Sequence, residues 1–229
     1  MNESTIMDLF INPHIIPPFV SFAFLASALL IIVAIVIRAS ISLVPRGVQN
    51  FVEIIMEAMQ NLCMENIGHE WGAFFFPLIG TIFLYILVSN FFGLIPGFFS
   101  PTANINMTAS MAIPVFIIYQ LWGFRVHGLH YIKHFLGPIR GWNPLVLLFM
   151  GMMFVIELIS HLARPLTLSV RLFGNMIAKH LLLIVLAMIV PLFVPMAILG
   201  LGVIVSLVQA YVFALLSVLY IAGAVQEAH

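Results

Sequence analysis

The carboxyl-terminal part of the chain constrains the fold most strongly, because it is long, apolar and almost free of charge. From Trp142 to Gln226 the only side chains with a formal charge are those of Glu157, Arg164, Arg171 and Lys179. About 20 apolar residues in helical conformation cross the hydrocarbon core of a bilayer. In the whole chain 63% of residues are hydrophobic and 7% are charged, against about 25% charged residues in soluble domains. The sequence therefore predicts an integral membrane protein.

Chain length, charge and cysteine content narrow the class further. The 229 residues provide about five or six spans and little material for a soluble domain, so we expect a single membrane domain. Eight basic and eight acidic side chains cancel, and no basic surface suggests a nucleic-acid partner. Cys63 is the only cysteine, which excludes an internal disulfide and predicts a simple packing role.

Basic residues orient the amino-terminal part of the chain. The first 17 residues contain Glu3 and Asp8 but no Lys or Arg, unlike the start of a secretory signal. Residues 18–37 form an apolar run that we predict as the first span. Arg38 and Arg46 follow it, so the positive-inside rule places this loop in the cytoplasm and the amino terminus outside.

Residues 48–66 have a different, amphipathic pattern. Apolar residues recur there at helical spacing, and another face carries Gln49, Glu53, Glu57 and Gln60. Such a pattern is typical of a helix that lies along the membrane interface. We expect this helix to act as a packing element.

Two spans are predicted next, at residues 73–95 and 105–124. The Pro/Gly/Asn-rich loop between them has no Lys or Arg, which places it outside. The connection after the second of these spans contains Arg125, Lys133 and Arg140, which places it in the cytoplasm.

The remaining residues can be divided in two ways. Three separate spans at 145–163, 181–200 and 201–222 would leave three cations in an external loop, against the positive-inside rule. The alternative is a helical hairpin, with one long helix at 143–190 and a second at 196–226. At 1.5 Å per residue the first helix would be about 70 Å long, against a hydrocarbon core of about 30 Å. It must therefore tilt or bend, and Pro165 provides a position for a bend.

This division predicts an all-α integral membrane protein with about five crossings, one interfacial helix and a long tilted hairpin at its carboxyl end. The carboxyl terminus is then cytoplasmic. The second hairpin helix has one strongly polar side chain between Met196 and Tyr220, that of Gln209, and small residues on one flank. Small residues allow close approach of another helix, either the first hairpin helix or a helix of a partner.

Helical spacing groups polar side chains on the first hairpin helix. At about 100° per residue, one face carries Glu157, His161, Arg164, Arg171 and Asn175. Ser160 borders this face, whereas His180 points away from it. A polar stripe in a membrane helix must face water, protein or a partner charge.

Arg171 is the most informative member of the stripe, because a charge at bilayer depth costs about 3 kcal/mol or more unless it is compensated. Glu157 is 14 residues away, about 21 Å along the helix, and cannot pair with it. No acidic residue occurs from Leu158 to Gln226. We therefore expect another subunit to bring a carboxylate to Arg171.

Structural roles remain open for these polar residues. Arg171 could be a packing cation bonded to backbone carbonyls, and Arg164 and Lys179 are expected to snorkel towards the interface. Interhelical hydrogen bonds or simple solvation would also account for the polar side chains of Glu157, Asn175, His180 and Gln209.

Four sequence motifs together resemble subunit a of F-type rotary ATP synthases. They are Arg171-Leu172-Phe173-Gly174-Asn175-Met176, Leu84-Tyr85-Ile86-Leu87-Val88-Ser89-Asn90 before Gly93-Leu94-Ile95-Pro96, Pro101-Thr102-Ala103-Asn104-Ile105-Asn106-Met107-Thr108, and Gln209-Ala210-Tyr211-Val212-Phe213. The resemblance extends from about Glu53 to the carboxyl terminus. It implies an interfacial helix and a long tilted hairpin against a rotor ring.

The resemblance also implies a function, which is proton translocation through two offset half-channels without catalysis in this subunit. It implies that Arg171 faces the carboxylate of each passing rotor c subunit and separates the half-channels, with Gln209 opposite it. The resemblance assigns Asn90, Asn175 and His180 to the external half-channel, and Glu157 and Ser160 to the cytoplasmic one.

The implied partners are the c-ring proteolipids, the peripheral-stalk b subunits, the rest of the complex and the lipid bilayer. The implied location is the bacterial inner membrane, and no cofactor or metal is expected. One departure concerns the external half-channel: many bacterial relatives have an acid at the position of His180 and a histidine at that of Gly202. The external route is therefore expected to use His180, water, and hydroxyl or amide groups.

Two other classes compete with this interpretation. The spacing of His127, His130 and His134 could present metal ligands, as in membrane oxygenases, although a basic cytoplasmic loop is favoured. A stand-alone secondary transporter would also contain intramembrane charges. However, the chain has no detectable internal repeat, and Arg171 has no internal acid.

Overall fold

The computed structural model describes residues 17–39, 41, 47–95, 97–128, 144–189 and 193–225. Six α-helices and a short 3₁₀ turn make up the regular structure of these residues. The helices are α1 (Pro18–Ala39), α2 (Val48–Ile67), α3 (His69–Phe92), α4 (Ile105–His127), α5 (Pro144–Ile189) and α6 (Phe193–Val225), and the turn is Pro101–Ala103.

Five of the helices, all except α2, are long and apolar enough to cross a membrane. They form because backbone groups inside a bilayer must be hydrogen-bonded within the segment, which a helix achieves. No strand occurs in the described residues. The prediction of an all-α integral membrane protein is confirmed.

The amphipathic helix α2 folds back directly onto α3. Gly68, at φ 95°, joins the two helices in a backbone conformation that favours glycine. Met59, Leu62 and Cys63 on one side of α2 are buried in the core. The residues predicted for an interfacial helix thus pack on the membrane-spanning part of the protein.

The core lies where α3, α4 and α6 meet. Large side chains are fully buried there, including Ile79 and Ile86 of α3, Tyr119 of α4, and Phe213 and Ile221 of α6. Helix α5 packs on α4 and α6 through Leu168, Leu172 and Met176. Its other side exposes a long apolar surface.

Helix α1 is peripheral. Phe22 and Ala26 are buried against Phe92 at the end of α3, and the Phe22 ring also contacts that of Phe98, with centroids 5.3 Å apart. The opposite side of α1 exposes Phe24, Ile31, Ile32, Ile35 and Val36. An exposed apolar surface of this kind suits contact with lipid chains.

Helix α5 has 46 residues and continues through Pro165. A proline removes the amide hydrogen that would bond to the carbonyl four residues earlier, here that of His161. The Tyr119 hydroxyl of α4 donates to this carbonyl oxygen at 3.4 Å. The interruption of α5 is therefore compensated by a neighbouring helix.

Candidate functional site

Arg171 lies on the exposed side of α5. Its neighbour Leu172 is fully buried, and this anchors the helix so that the guanidinium side faces outwards. In the described part of the chain the guanidinium has no hydrogen bond or ion pair, and the ion pair on α5 joins Glu157 and His161. The absence of an internal partner matches what the distribution of acidic residues predicts.

One turn further along α5, Asn175 bonds to the second hairpin helix. Its Nδ2 donates to Oε1 of Gln209 at 2.7 Å, and Gln209 is buried. An amide pair between membrane helices satisfies two polar groups that would otherwise face hydrocarbon. The hairpin therefore brings together two of the predicted site residues next to Arg171.

Asn90, near the end of α3, is fully buried and hydrogen-bonded on both sides of its amide. Its Nδ2 donates to the Ser206 carbonyl of α6 at 3.3 Å. Its Oδ1 accepts from the Thr102 hydroxyl at 2.7 Å, and Thr102 in turn bonds the Ser100 hydroxyl at 2.8 Å. Asn90 thus links the loop that is predicted to be external to the helix that carries Gln209.

Ser100 and Thr102, whose hydroxyls extend the hydrogen-bond series from Asn90, were not predicted as site residues from the sequence. Both are buried, although they lie in a loop that is predicted to be external. Their position could have indicated a role, because they lie in the uncharged loop that follows Asn90. A buried amide requires hydrogen-bond donors and acceptors, which such hydroxyls supply.

A cavity of about 250 Å³ opens beside this chain of polar groups. Lys179 and His180 of α5 line it together with Ser100. The Lys179 amino group donates to the Ser206 hydroxyl at 3.3 Å. The Lys179 amino group is therefore directed at α6.

A second polar cluster surrounds His161, towards the start of α5. Its Nε2 lies 3.2 Å from Oε1 of Glu157, and its Nδ1 lies 3.3 Å from the Tyr119 hydroxyl. Glu157 is half-buried, whereas Ser160 is exposed and makes no hydrogen bond within the described residues. The structure therefore joins Glu157 to His161 and not to Ser160.

His161 was placed on the polar face from the sequence but was not predicted as a site residue, and Tyr119 was not predicted at all. The four-residue spacing of Glu157 and His161 was a usable signal, because it places both side chains on one helix face. Nothing in the sequence indicated Tyr119, which comes from another helix. Arg164, also predicted to snorkel, places its guanidinium 5.8 Å from the Tyr119 ring centroid and 5.2 Å from that of Tyr220.

The polar stripe of α5 is therefore divided. His161 is buried and faces α4, whereas Arg171 and Asn175 are on the exposed side. Arg171 lies about 6 Å along the helix axis from Asn175 and about 21 Å from Glu157. One exposed cation stands between two polar clusters, and it is nearer to the one that contains Asn175 and Gln209.

A comparison with protein families supports a single identification. Residues 20–222 match the family model described as "ATP synthase A chain". The chain belongs to the ATP synthase A chain family. This family membership makes the metal oxygenase and stand-alone transporter hypotheses unnecessary. His127 is the last residue of α4, and His130 and His134 lie outside the described residues.

Curated proteins of the ATP synthase A chain family are similar over most of their length. "ATP synthase subunit a" of Trichlorobacter lovleyi is 46% identical over 201 residues, 88% of this chain and 84% of the relative. "ATP synthase subunit a" of Geobacter sulfurreducens is 45% identical over 210 residues, and "ATP synthase subunit a 3" of Pelobacter propionicus is 47% identical over 210 residues. Both alignments cover 92% of this chain and 88% of the relative.

Proposed function

We propose that this chain is the proton-translocating stator subunit of a bacterial rotary ATP synthase. The observation that carries the proposal is the exposed Arg171, which has no acidic partner among the described residues in a chain of the ATP synthase A chain family. The subunit itself is non-catalytic in this proposal, and it couples proton flow to ATP synthesis in the other subunits.

The proposed role of Arg171 follows from electrostatics. A cation favours the ionised form of a nearby carboxylate, so Arg171 drives proton release from each rotor carboxylate that passes it. The attraction is strong because the membrane interior has a low dielectric constant. The same positive charge repels protons and prevents their direct passage between the two half-channels.

The external half-channel of the proposal contains the cavity beside His180 and the amide groups beyond it. Asn90 is held by Thr102 and by the Ser206 carbonyl. Asn175 and Gln209 bond to each other one turn from Arg171. These groups can position water next to a rotor carboxylate without being charged themselves.

The cytoplasmic half-channel of the proposal contains Glu157 and Ser160. Glu157 is half-buried and paired with His161, and Ser160 is exposed. A carboxylate and a hydroxyl on the path can accept and pass on protons released from the rotor. Departing protons then reach the side on which the predicted cytoplasmic loops lie.

The proposed assembly follows from the exposed surfaces. The apolar side of α5 around Arg171 faces the c-ring, whose carboxylates compensate the guanidinium. The b subunits of the peripheral stalk hold the chain stationary, and lipid covers the remaining apolar surface. The proposed location is the bacterial inner membrane, with the amino terminus outside and the carboxyl terminus in the cytoplasm.

The test is the substitution Arg171→Ala in the assembled synthase. We expect ATP-driven proton pumping by inverted vesicles to be abolished, while ATP hydrolysis by the soluble sector persists. Arg164→Ala is the matched control, because it removes a cation of the same helix that lies over two tyrosine rings. It should retain most of the pumping, and normal pumping by Arg171→Ala would refute the proposal.

A further inference from the structure

The imidazole of His161 is buried where α5 packs on α4, and side chains of both helices surround it. On α5, its Nε2 lies 3.2 Å from Oε1 of Glu157. On α4, its Nδ1 lies 3.3 Å from the Tyr119 hydroxyl and 3.4 Å from Nε2 of Gln120. The Tyr119 ring also stacks on the imidazole, with centroids 5.9 Å apart. Helix α4 therefore fixes the ring that contacts the Glu157 carboxylate.

Pro165 determines how the Tyr119 hydroxyl is used. Because a proline has no amide hydrogen, the His161 carbonyl lacks its helical donor, and the Tyr119 hydroxyl donates to it at 3.4 Å. A hydroxyl has one hydrogen and two lone pairs, so its oxygen can still accept a hydrogen bond from a protonated Nδ1. The Gln120 amide nitrogen can donate to an unprotonated Nδ1. His161 thus has a partner at Nδ1 in either protonation state.

The Nε2 atom of His161 can donate to Glu157 in both of these states. In the neutral ring with an unprotonated Nδ1 the hydrogen is on Nε2, and in the imidazolium both nitrogens carry one. A hydrogen bond donated to a carboxylate favours its ionised form, and the bond is stronger when the donor is charged. The Glu157 side chain is 32% exposed, against 8% for that of His161. Water can therefore reach the carboxylate while its partner stays buried.

Other titratable and charged groups around His161 have different contacts. Arg164 of α5 places its guanidinium over the rings of Tyr119 and Tyr220, the latter from α6. Within the described residues Arg164 forms no ion pair with Glu157, which is instead paired with His161. The imidazole is therefore the group that compensates the Glu157 charge.

We propose that His161 is a positioning residue of the cytoplasmic half-channel, which α4 holds in place and which keeps the Glu157 carboxylate ionised and fixed. The inference rests on the proposed function, in which Glu157 accepts departing protons. Glu157 takes a proton from water on the path and then releases it to water on the cytoplasmic side. His161 does not pass this proton on, but it keeps the carboxylate ready to accept the next one.

The test measures passive proton flow in inverted vesicles from which the soluble sector has been removed, normalised to the amount of assembled subunit. A potassium diffusion potential drives protons from the lumen to the bath, so that they leave through the cytoplasmic half-channel. Lumen pH is held constant. Bath pH is varied from about 8.5 to about 4, a range that includes the unperturbed titrations of Glu and His.

Flow should decrease at the bath pH at which Glu157 becomes protonated, because a protonated carboxyl cannot accept another proton. An opposite charge or a donor beside a carboxylate changes this pH by about one unit or more. We therefore expect the midpoint of the decrease to move upwards by about one pH unit in His161→Leu, with equal flow at high pH. Below the new midpoint the flow should be lower by up to about tenfold. In His161→Gln, which keeps a donor without charge, the midpoint should lie between the two.

The residues of α4 provide opposite shifts, which a general packing defect would not produce. Tyr119→Phe removes the acceptor for a protonated Nδ1, so it disfavours the imidazolium and should move the midpoint upwards. Gln120→Leu removes the donor to an unprotonated Nδ1, so it favours the imidazolium and should move the midpoint downwards. As a control, Ser169→Ala removes a hydroxyl that bonds within α5, to the Leu166 carbonyl, and should leave the profile unchanged.

Three results would overturn the inference. The first is a His161→Leu profile that coincides with that of the unsubstituted protein. The second is an equal loss of flow at every pH, which a purely structural role would produce. The third is a shift of Tyr119→Phe and Gln120→Leu in the same direction.

The substitution Arg171→Ala in the same membranes separates this inference from the proposed function. If it abolishes ATP-driven pumping while His161→Leu keeps the unsubstituted pH profile, the proposed function stands and only the role of His161 is wrong. If Arg171→Ala pumps normally, the proposed function itself fails.

Discussion

The three cationic side chains of α5 contact different groups, although all three carry a positive charge. Arg171 is exposed, Arg164 lies over two tyrosine rings, and Lys179 donates to Ser206. A membrane helix places each cation according to the nearest group that can compensate it. Of the three cations, Arg171 is the one for which no such contact exists among the described residues, and the proposed function assigns it a partner outside this chain.

The Asn175–Gln209 hydrogen bond should be measurable as a coupling between the two residues. We expect Asn175→Leu and Gln209→Leu each to slow ATP-driven proton pumping without abolishing it, because each leaves one amide of the pair without its hydrogen-bond partner. The double variant should be slowed much less than the product of the two single effects, since it removes both amides.

The comparison uses the pumping rates of the unsubstituted protein, the two single variants and the double variant, measured at equal amounts of assembled synthase. Strictly multiplicative effects would show that the two amides act independently. As a control, Ser217→Ala removes a buried hydroxyl that bonds only within α6, to the Phe213 carbonyl, and should leave pumping nearly unchanged.

Helices α2 and α3 meet at a glycine that requires close approach of two backbones. A Cβ atom at Gly72 would lie 2.9 Å from the Cys63 carbonyl oxygen and 2.9 Å from Cα of Met64. These are backbone atoms of α2, so the helices would have to separate. At Gly80 the nearest atom to an added Cβ is Cε of Met56, at 3.2 Å, and this flexible side chain can move.

We therefore expect Gly72→Ala to destabilise the protein by about 1–3 kcal/mol, as overpacked cores usually do. Gly80→Ala is the matched control and should be neutral or stabilising by up to about 1 kcal/mol, because alanine favours the helix. Thermal transitions of the purified membrane sector, followed by exposure of the buried Cys63 thiol to a reactive dye, measure both. Equal transition temperatures for the two variants would contradict the packing argument.

The order of the crossings makes the orientation of the whole chain testable by thiol labelling. Cys63 is fully buried, and burial raises the pKa of its thiol to about 11. Only the thiolate reacts with maleimides, and at pH 7 a thiol with a raised pKa stays almost entirely protonated. Labelling of native Cys63 should therefore appear only as the pH approaches 11 or when the protein unfolds.

Cysteines introduced at exposed loop positions then report the side of the membrane. Ile41 and Ile95 are both exposed, and the predicted topology places Ile41 in the cytoplasm and Ile95 outside. A membrane-impermeant maleimide at pH 7 should label Ile41→Cys only in inverted vesicles and Ile95→Cys only in right-side-out vesicles. Labelling of both from the same side would refute the proposed orientation, and the unsubstituted chain should remain unlabelled in either preparation.

Several features of the fold were readable from the sequence because they depend on local composition. Runs of apolar residues predict helices wherever backbone groups must be satisfied without water, and all five spanning helices appear in the structure. The missing counter-charge of Arg171 was also readable, since it required only counting acids along one segment. The sequence also showed Pro165 in α5. It did not show that the Tyr119 hydroxyl donates to the His161 carbonyl, which lacks its helical partner because of this proline.

The contacts of the candidate site could not be derived in this way. Asn90 bonds to a residue 116 positions later in the chain, and Asn175 to one 34 positions later. Such pairs depend on the rotation and axial shift of one helix against another, and these are decided by how apolar side chains interlock along the whole contact. Local composition thus determined that the chain crosses the membrane as helices and that Arg171 lies in a segment with no acidic residue from Leu158 to Gln226. Only helix packing decided that Lys179 turns towards Ser206 and His161 towards Tyr119.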